Sequence, residues 1–137
     1  MTKHLLSVLA FVIVSFAVQG TSHFIINEAH YASISFIRSE PILVLGVLVM
    51  VIEAIIISFA LSAYKPNQVR VKDGIWVSLA FGLFLASYIA LVEPSKYDVP
   101  SIMGWVKVEA SASFVQFIVF GVILGYIHAK FHQKALE

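Results

Sequence analysis

Residues 41–64 have the sequence PILVLGVLVMVIEAIIISFALSAY, and this stretch decides the fold class. It contains one charged side chain, Glu53. A helix that crosses the hydrocarbon layer of a membrane, roughly 30 Å thick, needs about 20 mostly apolar residues. Such a segment must also satisfy its own backbone hydrogen bonds, which a helix does and a single strand does not. The stretch therefore predicts a transmembrane helix.

Three further stretches have the same character and cover residues 4–26, 74–93 and 102–130. Together the four stretches use most of the 137 residues, of which 60% are hydrophobic and 12% charged. Globular domains carry about 25% charged residues, so the composition is that of a membrane protein. We expect one all-α domain over residues 1–137, a polytopic membrane protein with four transmembrane helices in an antiparallel bundle.

The first apolar stretch has a second interpretation. Lys3 and His4 precede the apolar run, and the small residues Gly20 and Ser22 follow it, as in cleaved signal peptides. The cleavage pattern is weak, and we favour a retained helix.

The first loop, residues 27–40, is too apolar for a plain linker. His30, Ile34 and Ile37 recur at helical spacing, which favours a short helix lying in the outer membrane interface. An irregular loop packed over the helix ends is the alternative.

Basic residues predict the orientation. Three of the nine lie on one side, Arg38, Lys96 and Lys107, and six lie on the other: Lys3, Lys65, Arg70, Lys72, Lys130 and Lys134. Cytoplasmic loops carry the excess of Lys and Arg, so we expect both termini in the cytoplasm and the protein in the bacterial inner membrane. The lipid bilayer is the expected partner, and a net charge of +1 argues against nucleic acid.

Glu53 is the first candidate functional residue. It lies about 18 Å along the helix from Pro41, at a rise of about 1.5 Å per residue, which is near the bilayer centre. A carboxylate there is costly and needs a proton, a partner or a water-filled cavity. We expect it to bind a proton or a ligand. A neutral acid that only joins helices by hydrogen bonds is the alternative.

Polar side chains also follow one face of the fourth helix, where Glu109, Ser113 and Gln116 are spaced by four and three residues. On the first helix Ser15, Gln19 and Ser22 or His23 form a similar stripe. We expect a polar pocket that opens outward, with Glu53 near its floor. Interhelical hydrogen bonding without a pocket is the alternative.

Small residues predict where helices approach closely. Gly82 and Ala86 belong to a row of small side chains on the third helix, and Gly121 and Gly125 form a GxxxG pair on the fourth. Such rows allow close backbone contact in lipid. The neighbour is either another helix of the same chain or a second chain.

Three functions stay open. The first is a non-enzymatic protein that binds a small ligand or ion in the outward-facing pocket, or that supports a larger membrane complex. The second is a small proton-coupled transporter, acting as a homodimer, with Glu53 as the exchangeable carboxylate. The third is a metal-binding or redox subunit that uses His23 and His30, with Glu28 as a further ligand. The sequence identifies no cofactor, and with no cysteine it excludes disulfides and thiolate sites.

Overall fold

The structure is a computed structural model and describes residues 1–38 and 40–133, with His132 and Gln133 described by their backbone only. Lys134, one of the basic residues counted above, lies outside the described residues. All regular secondary structure in the described part of the chain is helical. Four helical segments are long and apolar enough to cross a membrane: Thr2–Ile26, Leu43–Tyr64, Val71–Lys96 and Ile102–Phe131.

Two of these spans are single α-helices, and two contain a π-helical turn. The elements are α1 (Thr2–Thr21) followed by the π-helical Ser22–Ile26, α2 (Glu28–Ala32), α3 (Leu43–Tyr64), α4 (Val71–Ser87) followed by the π-helical Tyr88–Val92, α5 (Glu93–Lys96) and α6 (Ile102–Gln133).

Helix α6 is the centre of the bundle. It packs most extensively on α4 and then on α1, α1 also packs on α3, and the contact between α3 and α4 is slight. Aromatic rings fill the space between α1 and α6, where Phe11 lies 4.7 Å from Phe120 and 5.8 Å from Phe117 between ring centroids. The side chains of Val14, Ala54, Ile57, Leu61, Val69 and Leu124 complete this core.

The third span is longer than the sequence predicts at both ends. It begins at Val71 rather than residue 74, because the Asp73 carboxylate accepts a hydrogen bond of 2.8 Å from the Arg70 backbone N–H and so caps the first turn. It continues past Pro94 to Lys96, although proline usually ends a helix.

The π-helical turn Tyr88–Val92 accounts for this continuation. Within it the Glu93 N–H donates to the Tyr88 carbonyl, five residues back. The next carbonyl, that of Ile89, would face Pro94, which has no N–H. The Trp105 indole N–H of α6 donates to that carbonyl at 3.0 Å instead. A side chain from another helix thus replaces the donor that proline lacks.

The first loop contains one short helix, α2, which covers only five residues. Turns and a bend follow it at Ser33 and over residues 35–37. Tyr31 and Ile34 are buried against Val99 and Trp105, which form a second, smaller core beneath the loop.

Candidate functional site

The polar stripes of α1 and α6 face each other and are joined by hydrogen bonds. The Gln19 side-chain amide donates to Gln116 Oε1 at 2.7 Å, and Gln116 Nε2 donates to Ser15 Oγ at 2.9 Å. Gln116 is 5% exposed and Ser15 is fully buried. The structure therefore brings Ser15 and Gln19 of the first predicted stripe together with Gln116 of the second.

Glu109 lies further along the same face of α6 and contacts the first loop. The Tyr31 hydroxyl donates to Glu109 Oε1 at 2.7 Å, and both residues are buried. Burial, together with the hydrogen bond to Glu109, raises the pKa of the Tyr31 phenol. The phenol is thus held as a hydrogen-bond donor to the carboxylate.

His23 connects these two groups. Its ring stacks on the Tyr31 ring with centroids 3.8 Å apart, and its Nδ1 lies 2.9 Å from the Gln19 carbonyl oxygen. The polar side chains of α1, α6 and the first loop therefore form one continuous cluster, which we call the α1–α6 polar cluster: Ser15, Gln19, His23, Tyr31, Glu109 and Gln116. Ser113 is buried between Glu109 and Gln116 on the same helix.

A cavity of about 910 Å³ opens beside this cluster, between the first loop and the beginning of α3. We call it the loop cavity. Glu28, Arg38 and His23 contribute polar groups of both signs to its wall, and Tyr31 is also part of the wall. The remaining wall is mostly apolar: Phe24, Ala32, Ile34, Ser35, Phe36, Ile37, Pro41, Ile42 and Leu45. Its volume is within the range of about 300–1,000 Å³ that small-molecule sites occupy.

Glu53 is not part of this arrangement. Its side chain is half-buried and lines a separate cavity of about 170 Å³, whose other walls are apolar side chains of α3, α4 and α6: Ile56, Ile57, Phe81, Phe84, Leu85 and Phe117. Among the described residues its carboxylate has no hydrogen-bond or ion-pair partner.

The geometry of α6 explains this separation. Gln116 and Phe117 are neighbours in sequence and therefore point about 100° apart around the helix. Gln116 faces α1, whereas Phe117 faces the cavity beside Glu53. Helical spacing places Glu53 and Gln116 at similar depths, but only the packing of the helices decides which side chains meet.

The three candidate metal ligands do not lie together. His23 and Glu28 both line the loop cavity, whereas the His30 ring lies 6.3 Å from the Trp105 ring between centroids. The Nε2 atom of His30 is buried without a hydrogen-bond partner among the described residues. Among the side chains of residues 1–38 and 40–131, no three from His, Asp or Glu are grouped closely enough to hold a metal ion.

The predicted small residues meet along the contact between α4 and α6 of the same chain. A Cβ built on Gly121 would lie 2.8 Å from Ile75 Cα, and one built on Gly125 would lie 2.7 Å from Val71 Cα. A Cβ on Gly82 would meet the Phe117 ring, whereas Ala86 is half-buried further along α4.

Gly74 belongs to this contact as well, since a Cβ there would overlap the backbone of Gly125. We call the surface of Gly74, Ser78, Gly82, Gly121 and Gly125 the glycine seam. The Ser78 hydroxyl donates across it to the Phe117 carbonyl at 2.6 Å.

Sequence reasoning missed Tyr31, Arg38 and Gly74 as functional or packing residues. Gly74 continues the four-residue spacing of Ser78 and Gly82 by one step towards the start of α4, so its signal was present. Tyr31 and Arg38 have no comparable spacing pattern in the sequence, because they belong to a loop whose path depends on what it packs against.

No protein-family model, curated protein or solved structure matches this chain.

Proposed function

We propose that this protein is a non-enzymatic, integral protein of the bacterial inner membrane that binds a small amphiphilic ligand in the loop cavity. The proposal rests on one observation. A cavity of about 910 Å³ combines an apolar wall with Arg38, Glu28 and His23, and two of its wall residues, His23 and Tyr31, belong to the α1–α6 polar cluster. Small-molecule sites have this composition, a largely apolar lining with a few oriented polar groups.

The distribution of apolar and polar side chains in the wall of the loop cavity indicates the kind of ligand. Phe24, Phe36 and Leu45 would contact an apolar body, whereas the guanidinium of Arg38 and the imidazole of His23 would bind a polar head. Glu28 adds an acceptor, so a head with both donors and acceptors suits the site better than a bare anion.

The proposed topology places this cavity on the outer side. Four spans in an antiparallel bundle with both termini in the cytoplasm put the first loop outside, and α2 would then lie in the outer interface. The basic residues support this orientation, because six of nine are assigned to the opposite side.

Native mass spectrometry of the full chain, extracted from its membrane in mild detergent, tests the proposal. We expect wild type to carry a small molecule that Ala32→Trp excludes, because Ala32 lines the cavity. Ala29→Trp is the matched control, since Ala29 is exposed on the same helix and does not line the cavity. A wild-type chain without any bound molecule, or equal retention by both variants, would contradict the proposal. A second chain in the spectrum at fixed ratio would instead favour a subunit of a larger complex.

Glu53 supports a second candidate, a proton-coupled transporter that acts as a dimer. Its carboxylate lines an apolar cavity without a polar partner among the described residues, and an intramembrane acid so placed requires a proton or a partner from outside the chain. Infrared difference spectra of the protein in lipid would follow the protonated carboxyl. We expect a pH-dependent carboxyl band that Glu53→Gln removes and Glu28→Gln does not. A band that survives Glu53→Gln excludes this role.

A further inference from the structure

A second group of buried polar side chains joins the beginning of α1 to α3 and α6. His4 Nδ1 lies 2.8 Å from Ser58 Oγ, and Ser58 Oγ lies 2.9 Å from His128 Nε2. Ser58 is fully buried and His128 is 1% exposed, whereas His4 is half-exposed. We call these three residues the His–Ser–His chain. It contains no residue of the loop cavity, and the proposal below is independent of the ligand proposed there.

The surroundings hold the two imidazoles in place. The His4 ring stacks on the Phe59 ring with centroids 4.1 Å apart and meets the His128 ring edge-on at 5.5 Å. The second nitrogen of His128, Nδ1, lies 3.5 Å from the Ser62 hydroxyl. Hydrogen bonds through Ser58 therefore connect the half-exposed imidazole of His4 to the fully buried imidazole of His128.

In the described part of the chain, the charges that influence the His–Ser–His chain are positive. Lys3 acts on both imidazoles, and the amino terminus acts on His4. Helix α3 contributes Ser58, Phe59 and Ser62, which carry no charge. At the start of α4, Asp73 is engaged by Lys65 at 3.8 Å and by the Arg70 backbone N–H.

The donors and acceptors available at Ser58 limit how many protons the His–Ser–His chain can hold. The Ser58 hydroxyl has one hydrogen, so it donates to only one of its two imidazole neighbours, and the other imidazole must donate to it. One added proton keeps every bond, because a charged imidazole donates to Ser58 and Ser58 donates to the neutral one. Two added protons would make both imidazoles donors to Ser58, whose own hydrogen would then have no acceptor between them.

We propose that the His–Ser–His chain is a proton-binding relay, which holds one excess proton and passes it between His4 and His128 through the Ser58 hydroxyl. In the transfer step His4 Nδ1 gives its proton to Ser58 Oγ, while Ser58 gives its original proton to His128 Nε2. His4 becomes neutral, with its remaining proton on Nε2, and His128, which already carries a proton on Nδ1, becomes the imidazolium. Ser58 ends as it began, a neutral hydroxyl, so protons and charge balance.

The test is a pH titration of the ¹⁵N-histidine-labelled full chain in uncharged phosphatidylcholine nanodiscs, followed by NMR. His4→Asn and His128→Asn variants assign the signals among the five histidines. In wild type we expect the His4 and His128 nitrogens to shift together in one step that takes up one proton per chain. Ser58→Ala should split that step into two separate ones, and Ser58→Thr, which keeps a hydroxyl, should retain it.

Ser7→Ala is the matched control, because Ser7 is also fully buried near this end of α1 but bonds only to the Lys3 carbonyl. It should titrate as wild type does. If Ser58→Ala does not fold, His4→Asn gives an independent measurement. In His4→Asn, the NMR signals of the His128 nitrogens should no longer shift over the pH range in which they shift in wild type. Three outcomes would each overturn the proposal: His4 and His128 titrate in separate steps in wild type, their joint step survives Ser58→Ala, or the His128 shift is unchanged in His4→Asn.

Discussion

Gln116 makes two hydrogen bonds across the contact between α1 and α6, since its amide accepts from Gln19 and donates to Ser15. Gln116→Leu removes both bonds and leaves two side chains without their partner. Interhelical hydrogen bonds in membranes contribute about 0.6 kcal/mol on average and at most about 1.7 kcal/mol. We therefore expect the free energy of unfolding in bicelles to fall by about 1–3 kcal/mol.

A double-mutant cycle with Gln19→Leu isolates the bond between the two amides. The coupling free energy should be about 0.6–1.7 kcal/mol, because the double variant leaves neither amide unpaired. Gln68→Leu is the control, since Gln68 is exposed in the loop before α4 and should leave stability unchanged. Strictly additive effects of the two substitutions would argue that the amides do not interact.

Tyr31 carries a prediction about alkaline pH. Burial and the hydrogen bond to Glu109 raise the pKa of its phenol above the ordinary value of about 10. A group whose pKa is higher in the folded state stabilises the fold fully below the unfolded pKa, and this contribution is lost as pH rises above it. Relative to Tyr31→Phe, wild type should therefore lose stability as pH rises past about 10.

Tyrosinate absorbance supplies the direct measurement. While the protein is folded, wild type and Tyr31→Phe should show the same absorbance change up to about pH 11, because Tyr31 does not ionise there. The difference of one tyrosine should appear only on unfolding. An extra ionising phenol in folded wild type would contradict the buried hydrogen bond.

Spacing along a helix predicts which residues share a face, but it does not predict what that face contacts. Glu109, Ser113 and Gln116 follow from the four- and three-residue spacing alone. Glu53 has an equally clear signal as an intramembrane acid, yet it lines a separate apolar cavity. The difference is rotational, because the angle of α3 about its own axis is set by packing against α1 and is not encoded in any local pattern.

The glycine seam brings the backbones of α4 and α6 close together, and it makes both helices sensitive to one added methyl group. Gly121→Ala would place a Cβ 2.8 Å from Ile75 Cα and 3.0 Å from Ser78 Cβ. Neither atom is the end of a flexible side chain, so the helices must separate. Overpacking of this kind costs about 1–3 kcal/mol, and we expect that loss in the free energy of unfolding in bicelles.

Gly46→Ala is the matched control, because no atom lies within 4 Å of a Cβ built at Gly46 in α3. Alanine favours the helix over glycine, so this variant should be as stable as wild type or more so. Equal destabilisation by the two substitutions would show that close packing at Gly121 is not the cause.

Across the whole molecule, the absence of native cysteine makes the proposed topology directly measurable, since one introduced thiol is labelled without background. Gln68 and Asp98 are both exposed, in the loops at opposite ends of the third span. On spheroplasts, a membrane-impermeant maleimide should label Asp98→Cys before lysis and Gln68→Cys only after lysis. The reverse order would place the loop cavity on the cytoplasmic side.

Length and apolar content are local properties, so the amino-acid sequence is enough to predict a helical chain with four segments suited to a membrane. It also predicts the face that carries Glu109 and Gln116 and the small residues that permit close approach. Three features come from tertiary packing alone: α6 joins α1 and α4, Tyr31 reaches Glu109, and His4 and His128 meet at Ser58. The hydrogen bonds of Tyr31 and Ser58 join residues 54 to 78 positions apart in the chain. Such contacts depend on helix rotation and loop path, which arise from the packing of all the elements together.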